Sequence, residues 1–256
     1  MAIFGVIEAI WRHPIKGFTP EALDRVRLTA GEGLPFDRVF AVENGASGFD
    51  PQAPKHISKM KFAVLAPIPK VAGVRTRLDE AAGVLHAAAT GHEPISVRLN
   101  EIEDAQAFEG WLAAVLGDEA QGPLRLISAP KHRFLDDPSG QISLTNLASL
   151  KVLSDAAGLD LSPARLRGNI DVSGWPAFAE NTLAPGARVR LGGAWATVVK
   201  PIQRCIATHV NPKTAERDFE LVTALMQQTG KANLGVYVRI DTDGDAAPGQ
   251  PAEVMD

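Results

Sequence analysis

Residues 187–205 read ARVRLGGAWATVVKPIQRC, and this stretch decides how the chain folds. Two runs within it, ARVRLGG and WATVVKPI, are strand-like, because apolar side chains recur in them with the short period of a half-buried strand. The stretch ends on Arg204 and Cys205, and Cys205 is the only cysteine of the 256 residues. A single thiol therefore directly follows a predicted strand.

Short alternating runs also fill the first hundred residues, which indicates an antiparallel sheet that curls into a barrel or sandwich. EAAG lies between two of these runs and predicts a hairpin. The runs are IFGVIEAIWRHPIK at 3–16, DRVRLT at 24–29, DRVFAVEN at 37–44, VRTRLD at 74–79, VLHAAA at 84–89 and ISVRL at 95–99. Further strand-like runs are NIDVSG at 169–174 and LGVYVRI at 234–240.

Three segments change to the helical period. The second of them, TNLASLKVLSDAAG, has Thr145 as its predicted N-cap and Gly158 as its stop. The segments are DAQAFEGWLAAVLG at 104–117, TNLASLKVLSDAAG at 145–158 and RDFELVTALMQQTG at 217–230. One face of the first helix carries Phe108, Trp111, Leu112, Val115 and Leu116.

These patterns predict a mostly β fold of the α+β class with two linked modules. An antiparallel β-barrel domain is expected over residues 1–100. A second β-barrel-like domain with peripheral helices is expected over residues 101–241. Residues 242–256 are rich in Gly, Pro and Asp and are expected to form a flexible tail.

Composition excludes several classes of function. The chain is 45% hydrophobic and 22% charged with a net charge of −4, which is typical of a soluble globular protein and argues against a nucleic-acid partner. No apolar run approaches the roughly 20 residues of a membrane span. The N-terminus lacks the features of a secretory signal, so a cytoplasmic location is expected. One cysteine excludes an intrachain disulfide, a CxxC pair and a cysteine-ligated iron–sulfur cluster.

The residues around the thiol leave its role open. A guanidinium stabilises a nearby thiolate, but Arg204 and Cys205 would point to opposite faces of a strand unless the chain leaves the strand, as Pro201 allows. Without such a partner, a lone cysteine is more often an inert buried side chain. His209 would lie roughly 13 Å from Cys205 in an extended chain, too far for a Cys–His hydrolase unless the segment turns. The histidines also lack metal-site spacing.

A longer segment, residues 165–218, resembles the core of the MOSC domain, which is named for the C-terminal domain of molybdenum cofactor sulfurases. The resemblance rests on an ordered set of motif positions. These are Arg167, Asn169, Glu180, Gly186 to Leu191, Arg204, Cys205, Thr208, Pro212 and Thr214. WRHPIKGF at 11–18 and LPFDRVFAV at 34–42 resemble the β-barrel domain that precedes MOSC in its amidoxime-reducing branch. Together the similar segments extend from residue 3 to about residue 240.

The resemblance implies a molybdenum cofactor in which Cys205 ligates a molybdenum atom held by a pterin dithiolene, a suitable place for a soft sulfur donor. It also implies cationic and polar partners for the pterin and its phosphate. By position these are Lys16, Arg38, Ser143, Thr145, Arg167, Asn169, Gln203 and Arg204. Three positions depart from the usual family pattern, which has Pro where Gly168 stands, Ser where Gly17 stands, and a small residue where Gln203 stands.

The implied function is that of a molybdenum-dependent oxidoreductase that reduces N-hydroxylated or N-oxide compounds. No cluster or flavin motif is present, so a separate electron-donor protein is expected. Pyridoxal phosphate is not expected, since the aminotransferase-like domain that binds it in the sulfurases has no counterpart in the sequence. A carrier of molybdenum cofactor, or of a persulfide sulfur on Cys205, would use the same thiol and cations and stays open as an alternative.

Overall fold

The structure, a computed structural model, describes residues 2–138 and 142–255. Fifteen strands and three α-helices occur in these ranges. The strands are β1 Val6–Arg12, β2 Glu21–Ala22, β3 Val26–Leu28, β4 Phe40–Asn44, β5 Arg75–Asp79, β6 Val84–Ala88, β7 Ile95–Arg98, β8 Leu124–Ser128, β9 Ile142–Asn146, β10 Ile170–Ser173, β11 Arg188–Leu191, β12 Ala194–Gln203, β13 Asn233–Ile240, β14 Gly244–Ala246 and β15 Ala252–Met255. The helices are α1 Ile102–Leu116, α2 Leu147–Ala157 and α3 Leu221–Thr229. The predicted mostly β fold is confirmed.

The largest sheet has eight strands in the order β15-β11-β12-β13-β9-β10-β1-β2. Its neighbours pair antiparallel, except that β9 and β10 are parallel. Period-two alternation on β11 directs Val189 and Leu191 into a core in which both side chains are fully buried. Reciprocal backbone bonds between Ile3 and Val254 join the two sides of the sheet, so that it curls around this core.

The first strand contributes to this large sheet. β1 pairs with β10, and Ile10 lies opposite Ile170 in that register. Only the two-residue β2 continues beyond it. Most strands of the large sheet come from the second half of the chain, and β1 comes from the first. The two halves of the chain therefore share one sheet. The expected domain boundary near residue 100 stays a prediction.

The rest of the first half forms a smaller antiparallel module. β5, β6 and β7 make a three-stranded sheet, and β4 pairs with β8. The predicted hairpin is confirmed, since Asp79 pairs with Val84 across its turn. α1 covers the module with Phe108 and Leu112, which are fully buried, and ends at Gly117, whose φ of 57° favours glycine. Among the described residues, no helix has the length and apolar character that crossing a membrane requires.

Two local predictions are wrong. Asn146, not Thr145, is the N-cap of α2, because its side chain accepts from the backbone N–H of Ala148 while Thr145 remains in β9. The expected flexible tail contains β14 and β15. β15 pairs with β11 and buries Ala252 and Val254, so pairing with an existing sheet edge outweighs the Gly- and Pro-rich composition of this segment.

Candidate functional site

A cavity of about 400 Å³ lies between the smaller module and the large sheet. The first half of the chain supplies Lys16 and Arg38 to its lining. Eight of the nine side chains proposed from the sequence line this cavity: Lys16, Arg38, Ser143, Arg167, Asn169, Gln203, Arg204 and Cys205. The fold therefore brings together residues that are separated by up to 189 positions in the chain.

Thr145 is the one proposed residue that does not line the cavity. Alternation along β9 directs Ser143 and Thr145 to the same face, but the backbone of Gly168 covers Thr145. A Cβ atom at Gly168 would lie 2.0 Å from the Thr145 hydroxyl oxygen. Gly168 has no side chain and therefore permits the close approach that hides this hydroxyl.

The chain leaves its strand just before the thiol. β12 ends at Gln203 after irregular pairing near Pro201, and a short 3-10 turn over Ile206–His209 follows Cys205. The carbonyl of Cys205 accepts from both the backbone N–H and the hydroxyl of Thr208, at 3.0 and 2.8 Å. This bend brings the neighbouring Arg204 and Cys205 to one cavity, which the strand alone would not do. Cys205 is half-buried.

Lys59 is the direct partner of the thiol, and the sequence analysis missed it. Its Nζ lies 3.1 Å from Cys205 Sγ and 3.2 Å from Asp136 Oδ2. Burial by itself lowers the pKa of Lys59, but Asp136 and Cys205 outweigh burial and raise it, so the ammonium form is favoured. Lys59 lies in a 3-10 turn that no motif marks, and 146 residues separate it from Cys205.

Asp136 joins two lysines at one side of the cavity. It pairs with Lys16, whose Nζ also donates to the carbonyl of Phe134 at 2.9 Å, and with Lys59. Burial by itself raises the pKa of Asp136, but the two ammonium groups hold it well below its usual range. Burial is the largest cause of the lowered pKa of Lys16. Asp136 therefore fixes both lysines while it remains ionised.

Cations outnumber anions around the cavity. Its charged lining consists of Lys16, Arg38, Lys59, Arg167, Lys200, Arg204, Asp136 and Asp137. At one end, the deep end, Lys16 and Arg204 are buried while Arg38 and Arg167 are half-buried. At the other end Lys200 is 43% exposed and pairs with Asp137. The cavity thus has a deep cationic end and a mouth where lysines and aspartates pair. An anion with many acceptor atoms suits the deep end.

Two arginines, the buried Arg204 and the half-buried Arg167, each have a buried donor without a partner among the described residues. The Nε of Arg204 donates to the carbonyl of Leu234 at 2.7 Å, and its Nη1 donates to the carbonyl of Leu166 at 2.6 Å. Arg167 Nη1 donates to the carbonyl of Phe18 at 2.8 Å. The Nη2 atoms of both arginines are buried and find no acceptor among the described residues. Burial lowers the pKa of each guanidinium to about 10. Buried donors of this kind call for an acceptor.

Ser143 and Asn169 use their polar groups mainly on each other. The Ser143 hydroxyl donates to Asn169 Oδ1 at 2.9 Å, and the backbone N–H of Asn169 donates to the Ser143 hydroxyl oxygen at 3.0 Å. Asn169 Nδ2 donates to the carbonyl of Trp11 at 3.3 Å. These bonds tie β9, β1 and the start of β10 together beneath the cavity, so both residues shape its floor.

Glu180 is a fully buried carboxylate behind Arg204. It accepts from the side chains of Asn146 and Ser149, each at 2.8 Å, and from the backbone N–H of Gly235 at 3.4 Å. Gly235 contacts Arg204 so closely that a Cβ there would lie 2.9 Å from its Nη2. Glu180 therefore holds the backbone against which Arg204 packs and supplies a negative charge near it.

Protonation of His13 is expected to couple the stability of this site to pH. Burial, then Arg167 and Arg38, lower the pKa of the fully buried His13 well below its usual value, while Asp37 accepts from its backbone N–H. Below about pH 6.5 the imidazole of His13 therefore binds a proton in the unfolded chain but not in the folded protein. The free energy of unfolding is therefore highest above that pH and decreases as the pH falls, by up to about 1.4 kcal/mol per pH unit.

Urea unfolding of the wild type and of His13→Gln between pH 7.5 and 5 measures this effect. The free energy of unfolding of the wild type is expected to fall more steeply below pH 6.5 than that of the variant. Other histidines are common to both proteins and cancel in the difference. A difference that does not change with pH would show that His13 titrates normally.

The fold and the site together define a class of protein in which a curled β-sheet carries a cationic cavity around a single thiol. Residues 4–123 match the MOSC N-terminal beta barrel domain, and residues 131–253 match the MOSC domain. The two matches together extend over most of the chain. The chain therefore belongs to the MOSC domain family, and it carries the N-terminal beta barrel domain as well.

Several relatives match part of the chain. The molybdenum cofactor sulfurase of Drosophila mojavensis is 33% identical over 55% of this chain and 20% of its own length. The one of Caenorhabditis briggsae is 31% identical over 56% of this chain and 20% of its own length. The chain thus spans about a fifth of the curated relatives it matches. The crystal structure of the YUAD protein from Bacillus subtilis covers 99% of this chain and 97% of its own, at 14% identity and a TM-score of 0.47.

Proposed function

We propose that the cavity binds molybdenum cofactor with Cys205 as the metal ligand, and that the protein reduces N-hydroxylated or N-oxide compounds there. One observation carries the proposal. The only thiol of the chain lies at a cavity into which the fold collects six lysines and arginines. An inert structural cysteine needs no such surroundings.

The donor set fits the group. A thiolate is a soft ligand that suits molybdenum already bound by sulfur. The unpartnered Nη2 atoms of Arg167 and Arg204 match the acceptor atoms of a phosphorylated pterin, and the planar fork of arginine can bind phosphate oxygens in pairs. A volume of about 400 Å³ is within the range of small-molecule sites. Thr145 has no part in this set, because Gly168 covers it.

When bound, the group would supply a metal centre that accepts an oxygen atom and exchanges two electrons. The residues of the chain have separate tasks around it. Lys59 donates to the sulfur of Cys205 and holds a proton at Nζ, 3.1 Å from Sγ. Asp136 fixes Lys59, and the apolar Val64, Leu65 and Ala66 line the same cavity and limit water there.

The proposal includes a separate electron-donor protein and a small N-hydroxylated substrate, and it places the reaction in the cytoplasm. Pyridoxal phosphate has no part in it. The net charge of −4 supports the view that nucleic acid is not a partner. The mouth of the cavity, where Lys200 pairs with Asp137, is the side from which substrate would enter.

Transfer of cofactor or sulfur is the second candidate. It is favoured by the relatives named molybdenum cofactor sulfurase, which match the chain over a fifth of their length. In this role Cys205 would carry a sulfane sulfur, and the cations would hold an acceptor. A sulfur carrier would show a +32 Da adduct on Cys205 without any metal, and neither kind of carrier would show reductase turnover.

Turnover with an artificial reductant tests the proposal. Protein from a host that makes molybdenum cofactor is expected to convert benzamidoxime to benzamidine with dithionite-reduced methyl viologen, as measured by liquid chromatography. Protein from a host that cannot make the cofactor is the control and is expected to be inactive. Equal rates from the two preparations, or no turnover despite bound molybdenum, would contradict the reductase function.

A further inference from the structure

His13 connects the backbone segments that carry the cations of the deep end. It is fully buried, and its backbone is held from both sides. Its carbonyl accepts from the backbone N–H of Arg38 at 2.6 Å, and its own N–H donates to Asp37 Oδ1 at 2.8 Å. The segment that bears Arg38 is therefore fixed directly to His13.

The imidazole ring reaches the other two segments. Nδ1 lies 3.4 Å from the carbonyl of Phe18, and Nε2 lies 3.3 Å from the carbonyl of Gly168. The Phe18 carbonyl also accepts from Arg167 Nη1. Arg38 Nη2 in turn donates to the carbonyl of Arg167 at 2.8 Å. The ring thus lies within one set of contacts that joins residue 18 to residues 37–38 and 167–168.

These segments need such support. Arg38 and Arg167 both have left-handed backbones, with φ of 52° and 53°. A non-glycine residue in that region is strained and persists only where its surroundings hold it. The two guanidinium groups also repel each other, which contributes to the lowered pKa of Arg167. A neutral imidazole has one N–H, so it donates to one of these two carbonyl groups and packs against the other, and it adds no third charge.

We propose that His13 is the positioning residue of the deep cationic end, where it orients Arg38 and Arg167 toward a bound phosphate group. The ligand part of this inference rests on the proposed function. The alternative is that His13 only fills space in the core. The two roles differ in what the ring nitrogens contribute, since a core filler needs the volume of the ring and not its hydrogen bond to a carbonyl group.

Two substitutions separate the roles. His13→Phe keeps a ring of similar size and removes both nitrogens, whereas His13→Gln keeps a polar group that can bond to a carbonyl. His86→Phe is the matched control, because His86 is half-buried on β6 and its Nδ1 contacts the hydroxyl of Ser96, away from the cavity lining. If His13→Phe does not fold, His13→Met replaces it, since its flexible chain fits irregular core space.

Hydrogen exchange and anion binding are measured on the purified full chain. In His13→Phe the amides of Arg38 and Arg167 are expected to exchange at least about 10-fold faster, the equivalent of about 1.4 kcal/mol. Inorganic pyrophosphate, followed by calorimetry, is expected to bind at least about 10-fold more weakly. His13→Gln is expected to restore both to within about threefold of wild type, and His86→Phe to change neither.

The outcomes are distinct. Unchanged exchange and affinity in His13→Phe, or equal losses in His13→Phe and His13→Gln, would overturn the positioning role, as would a wild type that binds no pyrophosphate. Faster exchange with unchanged affinity would reduce His13 to a structural residue. If the expected pattern appears but the wild type never carries pterin or molybdenum, the proposed function fails and the positioning role stands.

Discussion

Replacing Cys205 with serine is expected to lower the turnover of benzamidoxime by more than about 100-fold. Removing a residue that only hydrogen-bonds to a metal ligand already lowers metal affinity or activity by about 10- to 100-fold, and Cys205 is proposed to bind the metal itself. A hydroxyl is a poor ligand for a soft metal centre. The cations that hold the organic part are unchanged, so pterin is expected to stay bound. Turnover and the fluorescence of released, oxidised pterin measure the two effects on the same preparation.

The control for this substitution is Met60→Leu. Met60 is 51% exposed, directly follows Lys59, and is not among the side chains that line the cavity. Its replacement is expected to leave turnover and pterin unchanged. If Cys205→Ser kept more than about a tenth of the wild-type rate, the activation free energy would have risen by less than about 1.4 kcal/mol. Cys205 would then not be the metal ligand.

Replacing Glu180 with alanine is expected to destabilise the protein by about 3–5 kcal/mol, the usual effect of removing one member of a buried charged network. The substitution leaves the donors of Asn146, Ser149 and Gly235 without their acceptor. It also removes a negative charge near the buried Arg204. Urea unfolding at pH 7.5 gives the free energy of unfolding.

Glu216→Ala is the matched control for this prediction. Glu216 is exposed, and its backbone makes the bonds that its turn requires. Its substitution is expected to change the free energy of unfolding by less than about 0.5 kcal/mol. A loss below about 1 kcal/mol in Glu180→Ala would show that the network does not hold the sheet behind Arg204.

Local patterns in the sequence predicted most elements of the fold. α1 has a strong apolar face and a glycine at its end, and the structure places Gly117 directly after it. Pairing partners depend on distant residues, and the sequence alone did not reveal them. β15 was missed because AEVM is a short run in a segment rich in turn-forming residues, and only the free edge of β11 makes it a strand.

The same distinction applies to the candidate site. Residues in the ordered MOSC pattern, such as Arg167 and Cys205, could be proposed from the sequence because that pattern fixes their spacing. Lys59 and Asp136 were missed because each approaches the site through contacts between segments far apart in the chain. Thr145 was proposed for its hydroxyl, and only the backbone of Gly168 shows that this hydroxyl is covered.

Metal and pterin analysis of gently purified protein tests the central claim most directly. Wild type and Cys205→Ala would be produced in a host that makes molybdenum cofactor and analysed by mass spectrometry for molybdenum and by fluorescence for pterin. The wild type is expected to carry molybdenum at close to one atom per chain, and the variant at least about 10-fold less molybdenum while it keeps its pterin, because only the metal loses its protein ligand. A wild type that holds no more molybdenum than Cys205→Ala would contradict the assignment of this cavity.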